Sequence, residues 1–302
     1  MNLYSPTVIK SIFKKYGIKP KKYLGQNFVV NKSIINNIVK AAELNAADTI
    51  IEIGPGLGAL TMELAKKAKQ VIAVEKDKIM CEILQKMLQE ENIKNVAVIN
   101  ADILDSKNWK LSRHWAGSAC LSGRQASGGK IGNWKLVANI PYYITQPIIR
   151  LFLESAEPPQ SITLLVQKEV AQRICAVAPG MNLLAISVQF YARPEIISYV
   201  SKNNFWPQPK VDSAILKITR INKNCEQIDT DNFFKTARAG FSSPRKMLIG
   251  NLNKKLEIPR EIILKFFQNL GINPGARAEN LTVKEWVELS TALFSHPTEN
   301  MV

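Results

Sequence analysis

Hydrophobic positions change their period along this chain, and the changes mark its elements. From Asn31 to Leu44 (NKSIINNIVKAAEL) apolar residues recur at helical spacing, with Asn31 or Ser33 placed to cap the segment. TIIEI (49–53) then reads as a buried strand, and PGLGALTMELAKKA as a glycine turn entering a helix. VIAVE (71–75) and NVAVINAD (95–102) are predicted as the second and third strands, with DKIMCEILQKMLQEE a helix between them. KLVAN (135–139), SITLLVQ (161–167) and the runs near 184–190, 196–200 and 213–218 continue the strand series. Apolar strands alternating with amphipathic helices predict a mostly parallel sheet covered on both faces. From about residue 222 the strand pattern ceases, and DNFFKTARAGF, SPRKMLIGNLNKKL, PREIILKFFQNL and TVKEWVELSTALF carry helical patterns. The expected fold class is therefore α/β, with a Rossmann-like sheet domain over 1–221 and a small C-terminal all-helical domain over 222–302.

Composition narrows the setting. A chain of 302 residues that is 46% hydrophobic and 22% charged is ordinary for a globular protein. No apolar run approaches the roughly 20 residues that span a bilayer, so no membrane role is expected. The N-terminus lacks a signal-peptide core, and a cytoplasmic location is expected, although its basic, acid-free start would also suit an organelle transit peptide. Four cysteines without CxxC spacing and two histidines argue against a metal site or a disulfide framework.

Charge says more. The net charge of +15 is concentrated: residues 1–40 carry eight Lys and no Asp, Glu or Arg, and residues 106–135 carry six Lys or Arg and no acid. Two such stretches on an otherwise balanced chain suggest a phosphate-binding surface, formed in part by a basic N-terminal arm, 1–22. The 106–135 stretch is rich in Ser, Gly and Lys and is bracketed by a direct repeat, Asn108-Trp109-Lys110-Leu111 and Asn133-Trp134-Lys135-Leu136. It reads as an insertion that adds a basic loop suited to a polyanionic partner; His114 and Cys120 within it have no partners that suggest catalysis.

The chemistry gathers at the predicted strand ends. In EIGPGLGAL (52–60), Gly54, Gly56 and Gly58 let the backbone turn tightly and approach a ligand closely. Glu75 ends the next strand, where an acid commonly binds ribose hydroxyls. The GxGxG spacing, the acid Glu52 before the turn and Asp102 after the third strand favour S-adenosylmethionine over a dinucleotide. A carboxylate before the turn disfavours a pyrophosphate and suits a sulfonium or ammonium group. In LVANIPYY (136–143), Asn139 and a backbone carbonyl beside Pro141 can accept hydrogen bonds from one exocyclic amine and localise its lone pair. Tyr142 offers a face for the base that carries this amine. Tyr143, its neighbour, is expected to turn away into core packing.

These motifs resemble, in order, those of the 16S rRNA adenine-N6,N6-dimethyltransferase family, from about Tyr23 to Leu293 apart from 106–135. KYLGQNFVVN (22–31) is similar to the family's N-terminal motif, and the resemblance implies donor contacts by Gln26, Asn27 and the backbone near Val29. It implies that Gly54, Gly56, Glu75, Asp102 and Asn139 hold S-adenosyl-L-methionine, and that Asn139, Pro141, Tyr142 and Phe205 serve catalysis. Phe205, in FWPQPKVDSAIL (205–216), would sandwich the target base with Tyr142. FSSPRKML (241–248) and LGINPGARAENLTVKEWVEL (270–289) resemble the helical domain that contacts rRNA. Lys19, Lys21 and Lys22 of the arm, with Arg245 and Lys246, are the candidate RNA contacts. The expected partner is 16S rRNA in the small ribosomal subunit or its precursor, and the protein is expected to be a monomer without a metal. Val29 in place of a more usual leucine, and MNLLAISVQF (181–190) without the family's Tyr-Gly-Arg pattern, are departures. The alternatives are a 23S rRNA adenine methyltransferase, a non-catalytic ribosome-assembly or transcription factor on the same fold, and, most remote, a dehydrogenase.

Overall fold

The structure, a computed structural model, describes residues 2–21, 24–105, 134–220 and 228–295. Lys22 and residues 106–133 of the expected insertion therefore lie outside the described residues. The chain divides into two compact units, Met1–Ala171 with Glu195–Thr219, and Gln172–Pro194 with Arg220–Val302. A boundary at 221/222 thus misses one helical excursion: Gln172–Pro194 leaves the sheet unit and joins the second.

In the first unit the chain runs α1 (Pro6–Lys15), β1 (Phe28–Val29), α2 (Lys32–Ala41), β2 (Thr49–Ile53), α3 (Ala59–Ala65), β3 (Gln70–Glu75), α4 (Lys78–Glu90), β4 (Val96–Asn100) and β5 (Trp134–Asn139). After a short 3-10 turn, Tyr142–Ile144, come α5 (Thr145–Leu153), β6 (Ser161–Gln167) and α6 (Lys168–Ile174). The sheet is completed by β7 (Ala192–Val200) and, beyond the two-residue β8 (Phe205–Trp206), by β9 (Ser213–Arg220). Seven strands lie in the order β4-β3-β2-β5-β6-β9-β7. The pairs β4–β3, β3–β2, β2–β5 and β5–β6 are parallel, and β6–β9 is antiparallel. Parallel central strands must be apolar on both faces, and Ile50, Ile51, Val71, Ile72, Leu136, Val137, Leu164 and Leu165 are all buried. The order reverses at β2, whose neighbours are β3 on one side and β5 on the other, so a crevice opens at the carboxyl ends of these strands.

The N-terminal arm is largely docked. Ile9, Ile12 and Phe13 of α1 are buried with Leu57, Met80, Ile83 and Met87. The Phe13 ring meets Phe28 and Trp206 edge-on at 5.5 and 5.4 Å, which ties α1 to the small β1–β8 ladder pairing Phe28 with Trp206 and Val29 with Phe205.

The last part of the expected insertion belongs to the sheet. Trp134 and Lys135 open β5 and are both buried. Trp134 packs edge-on against Phe152 at 5.6 Å. Lys135 forms an ion pair with buried Asp48 at 2.9 Å and donates to the Glu43 carbonyl at 2.6 Å. Three residues of the second NWKL copy are thus strand residues, and Lys135 is not part of a basic surface.

The second unit holds α7 (Leu183–Gln189), α8 (Thr230–Gly240), α9 (Leu248–Leu256), α10 (Arg260–Asn269) and α11 (Val283–Ser295). The apolar run at 184–190, expected as a strand, is α7: the Asn182 side chain accepts from Ala185 N–H at 3.1 Å and caps it. Its core joins Phe190, Phe233, Leu252, Phe267 and Trp286, with Phe190 and Phe233 stacked at 4.0 Å.

Candidate active site

One cleft takes lining from almost every strand end at the crevice: Gly54 and Gly56 after β2, Glu75 at the end of β3, Asp102 after β4, Asn139 at the end of β5, and Pro141 and Tyr142 just beyond it. Gln26, Asn27 and Val29 line it from the N-terminal side. Of the candidate catalytic and donor-binding residues, only Phe205 is not among the lining residues. It is 4% exposed and buried with Val29, Ile35, Val200 and Ile215, because pairing with Val29 in the β1–β8 ladder turns its side chain into the core. The expected sandwich partner for Tyr142 is therefore corrected.

The glycine turn is shaped for close approach. Gly54 and Gly56 have φ of +65° and +56°, and a Cβ on Gly56 would sit 3.0 Å from the Phe28 ring. Two carboxyls lie at this turn. Glu75 accepts from Gly56 N–H at 3.2 Å and from Asp77 N–H at 2.9 Å. Burial raises its pKa, and those backbone donors oppose the rise. Glu52 is 1% exposed, and its Oε2 has no hydrogen-bond partner among the described residues. Burial pushes the Glu52 carboxyl up to about 8, with the Thr61 hydroxyl opposing and the Glu75 charge adding to the rise. A buried carboxyl with an unpartnered oxygen in a cleft lining suits a cationic ligand group, which would favour its ionised form, and Glu75 at a strand end suits vicinal hydroxyls. The residues present therefore fit S-adenosylmethionine.

Asp102 is more exposed and already engaged: Lys76 Nζ lies 2.8 Å from Oδ2, and Leu104 N–H donates to Oδ1 at 3.0 Å. Burial works to raise its pKa, but Lys76 and the Leu104 N–H prevail and hold it below the usual carboxylate range. It stays ionised and can accept from an amine.

Asn139 is oriented from an unexpected direction. Its Nδ2 donates to the Asn27 carbonyl at 3.1 Å, which leaves Oδ1 as the amide's acceptor with no donor among the described residues. The Pro141 carbonyl accepts from Ile144 N–H at 3.2 Å, closing the 3-10 turn. Among the described residues no backbone donor reaches the Ile140 carbonyl, so the acceptor beside Pro141 is on its Ile140 side. The Tyr142 hydroxyl lies 2.7 Å from Oγ of fully buried Ser213, which pins the ring edge and leaves the ring half-buried at the cleft. Tyr143 is not core: it is 59% exposed, since the 3-10 turn breaks the strand alternation that would have turned it inward.

The basic candidates separate. Lys19, Arg245 and Lys246 are exposed. In the second unit, Asn251 holds the loop that carries Arg245 and Lys246, its amide donating to the Gly240 and Ser243 carbonyls at 2.6 and 3.0 Å. Lys21 is instead committed to Asp77, Nζ to Oδ2 at 2.8 Å, with the Asp77 side chain 2% exposed. Sequence reasoning missed Asp77, Lys76 and Ser213 as supports of the site. Only Asp77 carried a signal, an Asp just before a helical pattern, and it does cap α4 through Ile79 N–H at 3.2 Å.

Comparison with known proteins finds similarity to ribosomal RNA methyltransferases. A family profile described as "Ribosomal RNA adenine dimethylase" matches residues 17–294. A "Ribosomal RNA small subunit methyltransferase A" from Dehalococcoides mccartyi is 40% identical over 95% of this chain and 93% of its own length. The protein of the same name from Bacillus mycoides is 38% identical over 98% of both chains. Among solved structures, a dimethyladenosine transferase from Plasmodium falciparum has a TM-score of 0.71 at 24% identity, covering 86% of this chain and 95% of that one. The 23S rRNA methyltransferase ErmE has a TM-score of 0.66 at 25% identity, covering 88% and 99%.

Proposed function

The chain belongs to the ribosomal RNA adenine dimethylase family, and on that premise we propose which substrate it modifies and which residues do so. It is an S-adenosylmethionine-dependent methyltransferase that acts on ribosomal RNA adenines. The substrate is 16S rRNA in the small subunit or its precursor, and the sites are the N6 amines of two adjacent adenosines near its 3′ end. Relatives at 36–40% identity that carry the small-subunit name support this choice over the large-subunit alternative.

The cofactor supplies an electrophilic methyl group when bound. Glu75 would accept from its ribose hydroxyls, Asp102 from its adenine amine, and Glu52 would face its positive charge. The observation that carries the reading is the Asn139 amide, held by the Asn27 carbonyl in the same cleft as Glu52, Gly54 and Glu75. With its nitrogen so engaged, the Asn139 oxygen accepts one N6 proton of the target adenine and the Ile140 carbonyl accepts the other. Two acceptors draw the amine toward tetrahedral geometry and localise its lone pair. No strong base is needed, because the alkylated nitrogen is acidic and sheds its proton to solvent. Tyr142, pinned by Ser213, is the stacking face for the base.

The test is methyl transfer from labelled donor to 16S rRNA or small-subunit particles from a strain lacking the modification, with the modified nucleotides identified. Dimethyladenosine in 16S rRNA is expected. Label confined to 23S rRNA, or no label, overturns the proposal.

A further inference from the structure

The residues that hold the cleft in shape converge on Asp77, which the reaction chemistry does not use. Its carboxylate accepts from Lys21 Nζ at 2.8 Å, from Gln26 Nε2 at 3.4 Å and from the first turn of α4. Its own N–H donates to Glu75 Oε1 at 2.9 Å. The Lys21 N–H in turn donates to Gln26 Oε1 at 2.8 Å, so Gln26 and Lys21 grip each other as well as Asp77. Next along the chain, Gly25 at φ +61° lies against Pro141, and a Cβ there would come within 2.9 Å of the Pro141 Cβ. Then Asn27 offers its carbonyl to Asn139. The segment from Leu24 to Val29 is therefore a strap, latched to Asp77 at one side of the cleft and to Asn139 and Pro141 at the other. A buried carboxylate carrying this many donors is specific to one geometry of the strap.

We infer that Asp77 is a positioning residue for methyl transfer: it fixes the strap, places Gln26 and Asn27 at the donor site, and through the Asn27 carbonyl sets where the Asn139 oxygen points. This rests on the reaction proposed above. It also removes Lys21 from the RNA contacts and makes it part of the latch.

The test uses the full chain, three single variants, Asp77→Asn, Lys21→Met and Lys19→Met, and the Asp77→Asn/Lys21→Met double variant. Asparagine keeps the size of Asp77 and its ability to cap α4, so the fold is retained while the charge on the latch is lost. Three quantities are measured: donor dissociation constant by calorimetry, kcat on small-subunit particles, and RNA affinity as a function of salt. The wild-type protein comes first, because failure to bind donor or to transfer methyl there counts against the reaction and not against the latch. With an active wild type, Asp77→Asn and Lys21→Met each weaken donor binding and lower kcat by roughly ten-fold or more. The Asp77→Asn/Lys21→Met double variant is no more impaired than the more impaired of the two single variants, since both remove the same contact. Neither changes the slope of RNA affinity against salt, whereas Lys19→Met makes it shallower. The inference is overturned if Lys21→Met lowers the salt slope while leaving donor affinity and kcat at wild-type values. It is also overturned if Asp77→Asn lowers only the melting temperature.

Discussion

Glu52 allows the electrostatics of the cleft to be tested in isolation. Its carboxyl is fully buried in the native protein and titrates at about 8, against 4.5 for an unburied glutamate. Between those values the native state binds a proton that the unfolded state has released. Stability from this group is therefore complete below the unfolded pKa and is lost as pH rises toward about 8. At about 1.4 kcal/mol for each pH unit, the whole effect is on the order of 5 kcal/mol. Glu52→Gln removes the titration and keeps the shape. Urea unfolding of both proteins without donor, across this window, should show the wild type losing ground steadily to the variant as pH rises, and no further change above about 8. Subtracting the two profiles cancels the titrating groups that do not interact with Glu52, leaving Glu52 and its coupling to Glu75. The donor reverses the balance, because a cation beside Glu52 favours the carboxylate. Donor affinity of the wild type should rise with pH through the same window, with proton release seen as a buffer-dependent binding heat, and both should vanish in Glu52→Gln. Parallel stability profiles for the two proteins, or a variant that binds donor with wild-type pH dependence, would refute the reasoning.

Other changes address single elements. Asn139→Ala should reduce methyl transfer by about 10²-fold or more while leaving substantial RNA binding, measured by single-turnover transfer and filter retention; strong residual turnover removes the role given to the amide. Glu75→Gln should weaken donor binding about ten-fold in calorimetry, and unchanged affinity would count against the ribose contact. Gly58→Ala should cost roughly 1–3 kcal/mol in urea unfolding, because Gly58 sits at φ +87° and its Cβ would collide with Leu84 Cδ1; a neutral result would mean that the α3 entry relaxes freely.

Much of this arrangement is legible in the sequence, and what is not has a common cause. TIIEI and SITLLVQ read correctly because central parallel strands are apolar throughout, and the glycines of PGLG announce a turn that only small residues can make. LLAISVQ misleads because a seven-residue apolar run has no period to distinguish strand from helix, and the deciding contact is the cap from Asn182. Lys135 looks like one more charge in a basic stretch, since its partner Asp48 is far away in the chain. The same holds for Lys21 with Asp77 and for Asn139 with the Asn27 carbonyl. Composition marks a residue as charged or polar, but long-range pairing decides whether that group faces solvent, a ligand or another side chain. Phe205 and Tyr143 exchange their expected environments for a related reason: one is set by pairing across a two-residue ladder, the other by a 3-10 turn.

The two reactants impose opposite electrostatic demands, since the donor is cationic and the RNA is a polyanion. The protein meets them by burial and not by overall charge. Despite the chain's net charge of +15, the cleft lining includes Glu52, Glu75 and Asp102, and among the described residues Lys76 is its only basic member and is paired to Asp102. Glu52 and Glu75 are shielded from solvent, so salt screens their attraction for the donor only weakly. Lys10, Lys14, Lys15 and Lys19 of the same unit are exposed, where salt would screen any phosphate that met them. A carboxylate at the surface would repel the RNA, and a lysine turned into the cleft would repel the donor. The latch on Asp77 satisfies both demands at once: it draws the Lys21 charge onto a buried acid, so a basic arm can border the donor site without adding positive charge to it.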